Sequence, residues 1–305
     1  MSSSASRSAT AAGLGAVVIW SSWLGLSRVV FEAIGPMTAG AIVHLLAGGV
    51  GLAWALRSRR ARRELSSLSW RYIVGCGVLF VGYTLCLLNA VARASGHQEV
   101  LVVGLINYLW PAATLVLSIP LLAARPRPFF PLGILLAVIG LVLMTGGGQL
   151  RWSAFAASLG ANMGPYALAL VAALGWALYS NLARRWGGRT GEGAVPVFIL
   201  ATGVAMAFLA LHEHHAFRLT FKIALAMLYW ALVVNLVGYV LWEIAVRRGN
   251  LTLVASAAYL IPLFSTLISC QVLGIWPPPA VWVACGLVIA GAFICQRSLR
   301  ESGVG

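Results

Sequence analysis

Asn107-Tyr108-Leu109-Trp110-Pro111 lies inside an apolar run over 98–122, and its likeness returns as Tyr259-Leu260-Ile261-Pro262 inside a second apolar run over 251–273. Proline deep in such a run removes an i→i−4 hydrogen bond, so each run is predicted to be a helix with a kink or a local unwinding. The same Tyr-Leu-x-Pro order in two runs suggests one unit written twice. The surroundings agree. Trp20, Leu26 and Arg28 line up with Trp176, Leu182 and Arg184 without a gap. Val81-Gly82-Tyr83-Thr84-Leu85 lines up with Val237-Gly238-Tyr239-Val240-Leu241 at the same offset. The offset changes before Tyr108 and Tyr259, as a longer loop around His97-Gln98-Glu99 in the first copy would require.

A helix rises 1.5 Å per residue and needs roughly 20 mainly apolar residues to cross a bilayer. Ten segments meet this: 10–31, 37–56, 71–92, 98–122, 129–146, 165–185, 194–211, 221–245, 251–273 and 279–297. Pro36, Pro131, Pro165, Pro196 and Pro279 sit near segment starts, where a missing N–H does little harm. The run from Ala11 is long enough to be a retained first span rather than a cleaved leader. Gaps after even-numbered segments carry most of the arginines, Arg57 to Arg71, Arg125 with Arg127, Arg184 to Arg189, and Arg247 with Arg248. That asymmetry predicts both termini in the cytoplasm. Five spans is an odd number, so the second copy enters the membrane from the opposite side. The expected fold is therefore an all-α polytopic membrane protein of ten transmembrane helices in two inverted repeats, 1–146 and 165–305. Residues 147–164 form a periplasmic linker, and the whole makes one transport domain.

Composition narrows the function classes. Of 305 residues, 61% are hydrophobic and 9% charged, too few charges to cover a water-soluble surface. The net charge of +14 lies in short gaps between apolar runs, which suits topology signals and not a nucleic-acid patch. The five cysteines, Cys76, Cys86, Cys270, Cys285 and Cys295, lie in apolar runs and form no CxxC pair. His212-Glu213-His214-His215 falls in an outward loop with no closed zinc spacing, and is read as a solvated polar loop. There is no P-loop, Gly-x-Ser-x-Gly or His-Glu-x-x-His, so no enzyme activity, cofactor or metal is expected.

The segment order, the five-plus-five repeat and Asn107-Tyr108-Leu109-Trp110-Pro111 resemble the drug/metabolite transporter superfamily, EamA-like, and within it the YddG-type exporters of aromatic amino acids. Ile19-Trp20-Ser21, Tyr83, Cys86, Gly249-Asn250 and Ser256 to Tyr259 add to the likeness, which covers nearly the whole chain. It implies export of Phe, Tyr, Trp and related amphiphilic solutes from the bacterial cytoplasm, across the inner membrane, through a cavity shared by the two halves.

The residues themselves lead in the same direction. Trp20 with Trp23, Trp176 with Tyr179, and Tyr239 with Trp242 stand at i, i+3 spacing, each pair on one helix face. Tyr83, Tyr108, Trp110 and Tyr259 add rings well inside their segments. Any single ring is explained by helix packing; a symmetric set is better explained as a ring-lined cavity. Such walls stack aromatic substrates and attract an ammonium group. By contrast Trp70, Tyr72, Trp152, Trp186, Trp276 and Trp282 read as interfacial belt residues. Asn107 is read either as a partner of a substrate carboxylate or as a bridge between helices. Pro111 and Pro262 each free a carbonyl one turn earlier, near Asn107 and Ala258, and are candidate hinges as well as plain kinks. His44 and Glu243 are the candidates for a proton or charge role; His44 also fits a satisfied buried histidine. Glu243 stands at i, i+4 from Arg247, the spacing of a structural ion pair. Gly48-Gly49-Val50-Gly51, Gly133 with Gly140, and Gly286 with Gly291 mark small faces for close helix packing.

These features predict a secondary transporter working by alternating access, a monomer in the lipid bilayer whose partner is a small molecule. One rival keeps the fold and makes it a proton-coupled exporter of lipophilic cations. A second, a membrane-embedded lipid-modifying enzyme, wants clustered acids, and the chain has no Asp.

Overall fold

The computed structural model describes residues 3–94, 97–145, 163–188, 194–213, 217–265 and 279–300. It is helical almost throughout. Among the described residues, five segments are long and apolar enough to cross a membrane by themselves: Pro36–Arg57, Arg71–Arg93, Val102–Leu122, Met163–Trp186 and Phe221–Arg248. Four shorter apolar helices accompany them. Val78, Val171, Leu225 and Phe293 are each more than half exposed, an outer surface suited to lipid and not to water.

The first segment is not one straight helix. It forms α1, Ser3–Ser21, and α2, Trp23–Ile34, interrupted at Ser22. The hydroxyls of Ser21 and Ser22 donate to the carbonyls of Val17 at 2.8 Å and Ile19 at 2.7 Å. Paired serines that bond back to the preceding turn compete with the backbone ladder and loosen it. Next come α3, Pro36–Arg57, and α4, Arg59–Ser66, a short basic helix in what the sequence marks only as a gap. The third segment opens as a π-helical stretch, Arg71–Cys76, and continues as α5, Gly77–Arg93.

The fourth segment is split into α6, His97–Asn107, and α7, Trp110–Leu122. Its break at Tyr108–Leu109 directly precedes Trp110-Pro111, and Leu109 N–H makes a tight i→i−3 bond to Ile106 at 3.1 Å. After α8, Phe130–Thr145, the second half brings α9, Met163–Trp186, and α10, Val195–Ala210. The eighth segment runs α11, Phe221–Tyr229, a second π-helical stretch, Trp230–Val237, and α12, Gly238–Arg248. The ninth starts as α13, Leu251–Ala257, turns at 258–259, and resumes helically over 260–265. Here Ala258 does not leave its carbonyl empty; it accepts from the Ile261 N–H at 3.1 Å. The last long helix is α14, Pro279–Ser298. Arg125–Pro126 and Leu299–Arg300 pair as two short antiparallel strands, β1 and β2, tying the end of α7 to the end of α14.

Packing relies on small residues, as expected where lipid removes the hydrophobic drive between helices. Helices α3 and α10 lie against each other along their length, as do α8 and α14. A Cβ at Gly203 would stand 2.6 Å from the Leu45 backbone N, and one at Gly48 2.5 Å from that of Leu200. At Gly291 it would stand 2.5 Å from Ala137 N, and at Gly140 2.7 Å from the Ala284 carbonyl. Gly49 and Gly286, read from sequence as part of the same faces, meet nothing within 4 Å among the described residues. Other close pairs include α1 with α12, α5 with α9, α9 with α6 and α7, α9 with α12, α5 with α10, and α1 with α13.

Two sets of ties fix opposite ends of the helices. At one, Thr10 Oγ1 accepts from Asn250 N–H at 2.9 Å and Arg185 donates to the Leu121 carbonyl at 3.3 Å. At the other, the Glu213 carboxylate accepts from Met37 N–H at 3.0 Å, and from Thr38 N–H and Thr38 Oγ1 at 2.8 Å each. Glu213, placed by sequence in a solvated loop, thus caps the first turn of α3, where a helix carries orphan donors and favours negative charge.

Candidate functional site

The i, i+3 spacing of Trp176 and Tyr179 on α9 places both rings on one face, 4.9 Å apart. Trp176 is the hub of the main buried core. Around it stand Trp20 at 5.8 Å, Tyr83 at 4.7 Å, Trp110 at 6.4 Å, Tyr239 at 5.6 Å and Trp242 at 6.2 Å. Trp20 also meets Tyr239 at 5.6 Å and Trp242 at 5.4 Å, while Trp110 meets Trp242 edge-on at 5.2 Å. Five helical segments therefore deliver rings to one place. The tilted and T-shaped pairings suit the ring quadrupoles. Polar edges are satisfied too: the Trp20 indole donates to the Val234 carbonyl at 3.2 Å and that of Trp242 to Ser180 Oγ at 3.3 Å. Gly238 makes room for Trp20, since a Cβ there would come within 2.7 Å of the indole nitrogen.

Phe80 belongs to this cluster, 5.8 Å from Trp176 and 4.8 Å from Tyr239. The sequence reading passed over it, although Phe80 and Tyr83 stand at the same i, i+3 spacing used for the other pairs. Tyr108 packs at the rim of the same core. Asn107, at the break between α6 and α7, is buried beside the Tyr83 hydroxyl, and its Oδ1 accepts no hydrogen bond from the described residues. Asn235, in the second π-helical stretch and next to the carbonyl that receives Trp20, is buried with its Nδ2 equally unmatched among them. An acceptor and a donor without partners at a helix break and a π-helical stretch are groups a polar ligand can use.

Not every candidate gathers here. Tyr259 is buried in a separate cluster with Ala112 on α7, Ala137 on α8, Leu263 in the stretch after α13, and Val288 on α14. His44 lies in the α3–α10 contact, its Nδ1 2.7 Å from the Gly40 carbonyl. Pro111 and Pro262 are both buried, each just after its helix break. The Trp23 side chain, Trp152 and Trp276 lie outside the described parts of the structure. Trp70 is 72% exposed, as a belt residue would be.

Tyr72 is not a belt residue: it is fully buried. Its hydroxyl donates to Glu243 Oε1 at 2.5 Å and accepts from Ala194 N–H at 3.2 Å. Tyr179 donates to Glu243 Oε2 at 2.6 Å. Arg247 lies one turn along α12, its Nε 3.6 Å from Glu243 Oε1 and 3.1 Å from the Gly188 carbonyl. Its guanidinium also donates to the Gly187 carbonyl and lies 5.6 Å from the centre of the Tyr72 ring. Glu243 and Arg247 are thus a buried pair, compensated by two phenols and two carbonyls from three other elements. The amphipathic period of the segment gives no sign of this for Tyr72. The available signal was chemical, since a buried carboxylate needs donors.

Both halves match the model of one protein family, the EamA-like transporter family, over residues 7–146 and 163–296. The aromatic amino acid exporter YddG of Salmonella typhimurium is 28% identical over 97% of this chain and 99% of its own length. Those of Escherichia coli and Ancylobacter novellus are 27% and 29% identical over 97% and 96% of this chain, and 99% of theirs. One solved crystal structure matches with a TM-score of 0.77 at 27% identity, over 94% of this chain and 96% of that one.

Proposed function

The chain belongs to the EamA-like transporter family, a multi-pass membrane protein and not an enzyme, and we propose that it exports aromatic amino acids across the bacterial inner membrane by alternating access. The observation that carries this reading is the ring cluster around Trp176. Stacking on such rings contributes on the order of 0.5–1.5 kcal/mol per good pair. Asn107 Oδ1 and Asn235 Nδ2, unmatched among the described residues, offer an acceptor and a donor for a polar head group. The full-length likeness to three proteins named as aromatic amino acid exporters supports the substrate class.

The architecture we infer is ten spans in two inverted repeats, 1–146 and 165–305, joined by a periplasmic linker over 147–164, with both termini cytoplasmic. The helix pairings support it. Exchanging the halves turns α1 with α12 into α9 with α5, and turns α9 with α6 and α7 into α1 with α13. The pairs α3 with α10 and α8 with α14 map onto themselves. A pseudo-twofold bundle has this property, and its two halves can exchange conformations. Fusion of both halves in one chain supports a monomer. The α1 start, the α12 end and the β1–β2 pair then lie on the cytoplasmic side, with Arg57, Arg184 and Arg247.

Proteoliposomes loaded with labelled phenylalanine or tryptophan test the proposal directly. Saturable, protein-dependent flux is expected; no flux of either compound in either direction overturns it. A proton-coupled exporter of lipophilic cations has less support, because the three full-length relatives are named as aromatic amino acid exporters.

A further inference from the structure

Glu243 and Arg247 are a charge pair at the cytoplasmic end of the ring cluster, and nothing in packing alone requires them. Both are buried, and a buried ion pair is often no more stabilising than apolar residues of the same volume. Its compensation is assembled across elements that must part if that end opens: Tyr72 before α5, Tyr179 on α9, and Gly187 and Gly188 after α9. On parting, Glu243 loses two phenol donors and Arg247 two carbonyl acceptors. At the repeat offset set by Val81 and Val237, the matching positions in the first half are Leu87 and Val91. The pair therefore has no charged counterpart at the matching positions of the first half.

We propose that the Glu243–Arg247 pair is the head-group selectivity element of the transport path, receiving an α-amino-acid zwitterion when the cytoplasmic end opens. Glu243 takes the ammonium in place of the Tyr72 and Tyr179 hydroxyls, and Arg247 takes the carboxylate in place of the Gly187 and Gly188 carbonyls. A zwitterion supplies both missing charges at once. An amine or an acid of the same ring supplies one and leaves the other charge uncompensated, which a site built around charges rejects strongly. Tyr179 links the two steps, since its ring stacks on Trp176 while its hydroxyl holds Glu243. This inference rests on the export of aromatic amino acids proposed above.

The test is competition against labelled phenylalanine flux in proteoliposomes, with N-acetylphenylalanine as the anion lacking an ammonium and phenylalaninamide as the cation lacking a carboxylate. In the unaltered protein each truncated compound should compete at least about tenfold less well than phenylalanine. Glu243→Gln should narrow the gap for N-acetylphenylalanine alone, and Arg247→Gln the gap for phenylalaninamide alone. If both variants weaken all three compounds by one common factor, the pair is structural and the inference is overturned. A readout without substitution guards against variants that do not fold. Cys76, buried in the same π-helical stretch as Tyr72, should react faster with a membrane-impermeant thiol reagent when phenylalanine is added. Neither truncated compound should do this, and equal acceleration by all three also overturns the inference. Absence of phenylalanine flux in the unaltered protein is a separate result that removes the transport reading itself.

Discussion

Tyr179 donates its hydroxyl to Glu243 Oε2 at 2.6 Å while its ring stands in the aromatic cluster, so one side chain joins the ring site to the buried charge pair. The ring cluster and the charge pair therefore share one side chain.

Tyr179→Phe keeps the ring and removes that donor. Leaving a buried carboxylate one hydrogen bond short costs about 1–3 kcal/mol. A lower melting temperature in detergent is expected, with ring-dependent substrate affinity largely kept. An unchanged melting temperature would mean that Glu243 finds another donor.

Trp176→Ala removes the hub. The loss of stacking with several rings should lower kcat/KM for phenylalanine and tryptophan by at least about tenfold, and Trp176→Phe should restore part of it. Labelled flux across a range of substrate concentrations gives both parameters. Equal activity in the alanine variant would place the substrate elsewhere.

Pro111→Ala tests the hinge. The break at Tyr108–Leu109 directly precedes Pro111, and restoring an N–H there favours a continuous helix through the motif. A reduced turnover number with KM little changed is expected. Unchanged kinetics would reduce Pro111 to a packing kink.

Gly203→Leu and Gly286→Leu form a matched pair. The first drives a side chain into the α3 backbone, where nothing can yield, and should cost about 1–3 kcal/mol or prevent folding. The second points into open space and should leave the melting temperature nearly unchanged.

Gly35→Ala places a Cβ where φ is 93° and the Glu213 carboxyl carbon would lie 2.7 Å away. Strain and a displaced cap together should cost about 1–3 kcal/mol. Glu213→Ala, which loses the cap alone, should cost about 1 kcal/mol. Thermal unfolding of both variants orders these effects, and a larger loss in Glu213→Ala would contradict the account.

Much of this was legible because helical periodicity and the cost of burying polar backbone act locally. Apolar runs, proline breaks and i, i+3 ring pairs are properties of a single segment. The two interruptions at Tyr108 and Tyr259 follow from the prolines beside them, and the Glu243–Arg247 pair from one turn of helix. The break at Ser22 has a local cause in its paired serines, one the sequence reading did not weigh.

Which neighbour a face meets is a different kind of fact. In a membrane, lipid and helix core are equally apolar, so Gly48 and Gly49, or Gly286 and Gly291, read alike until the packed helices separate them. Tyr72 and Trp70 share the look of a belt, yet one is exposed and the other reaches a carboxylate 171 residues away in sequence. Tyr259 shares its Tyr-Leu-x-Pro order with Tyr108 but packs outside the ring cluster. The sequence by itself determined the segments, their breaks and the faces that carry rings. Tertiary structure alone decided which of those faces converge, because convergence depends on contacts between helices whose pairing no local rule encodes.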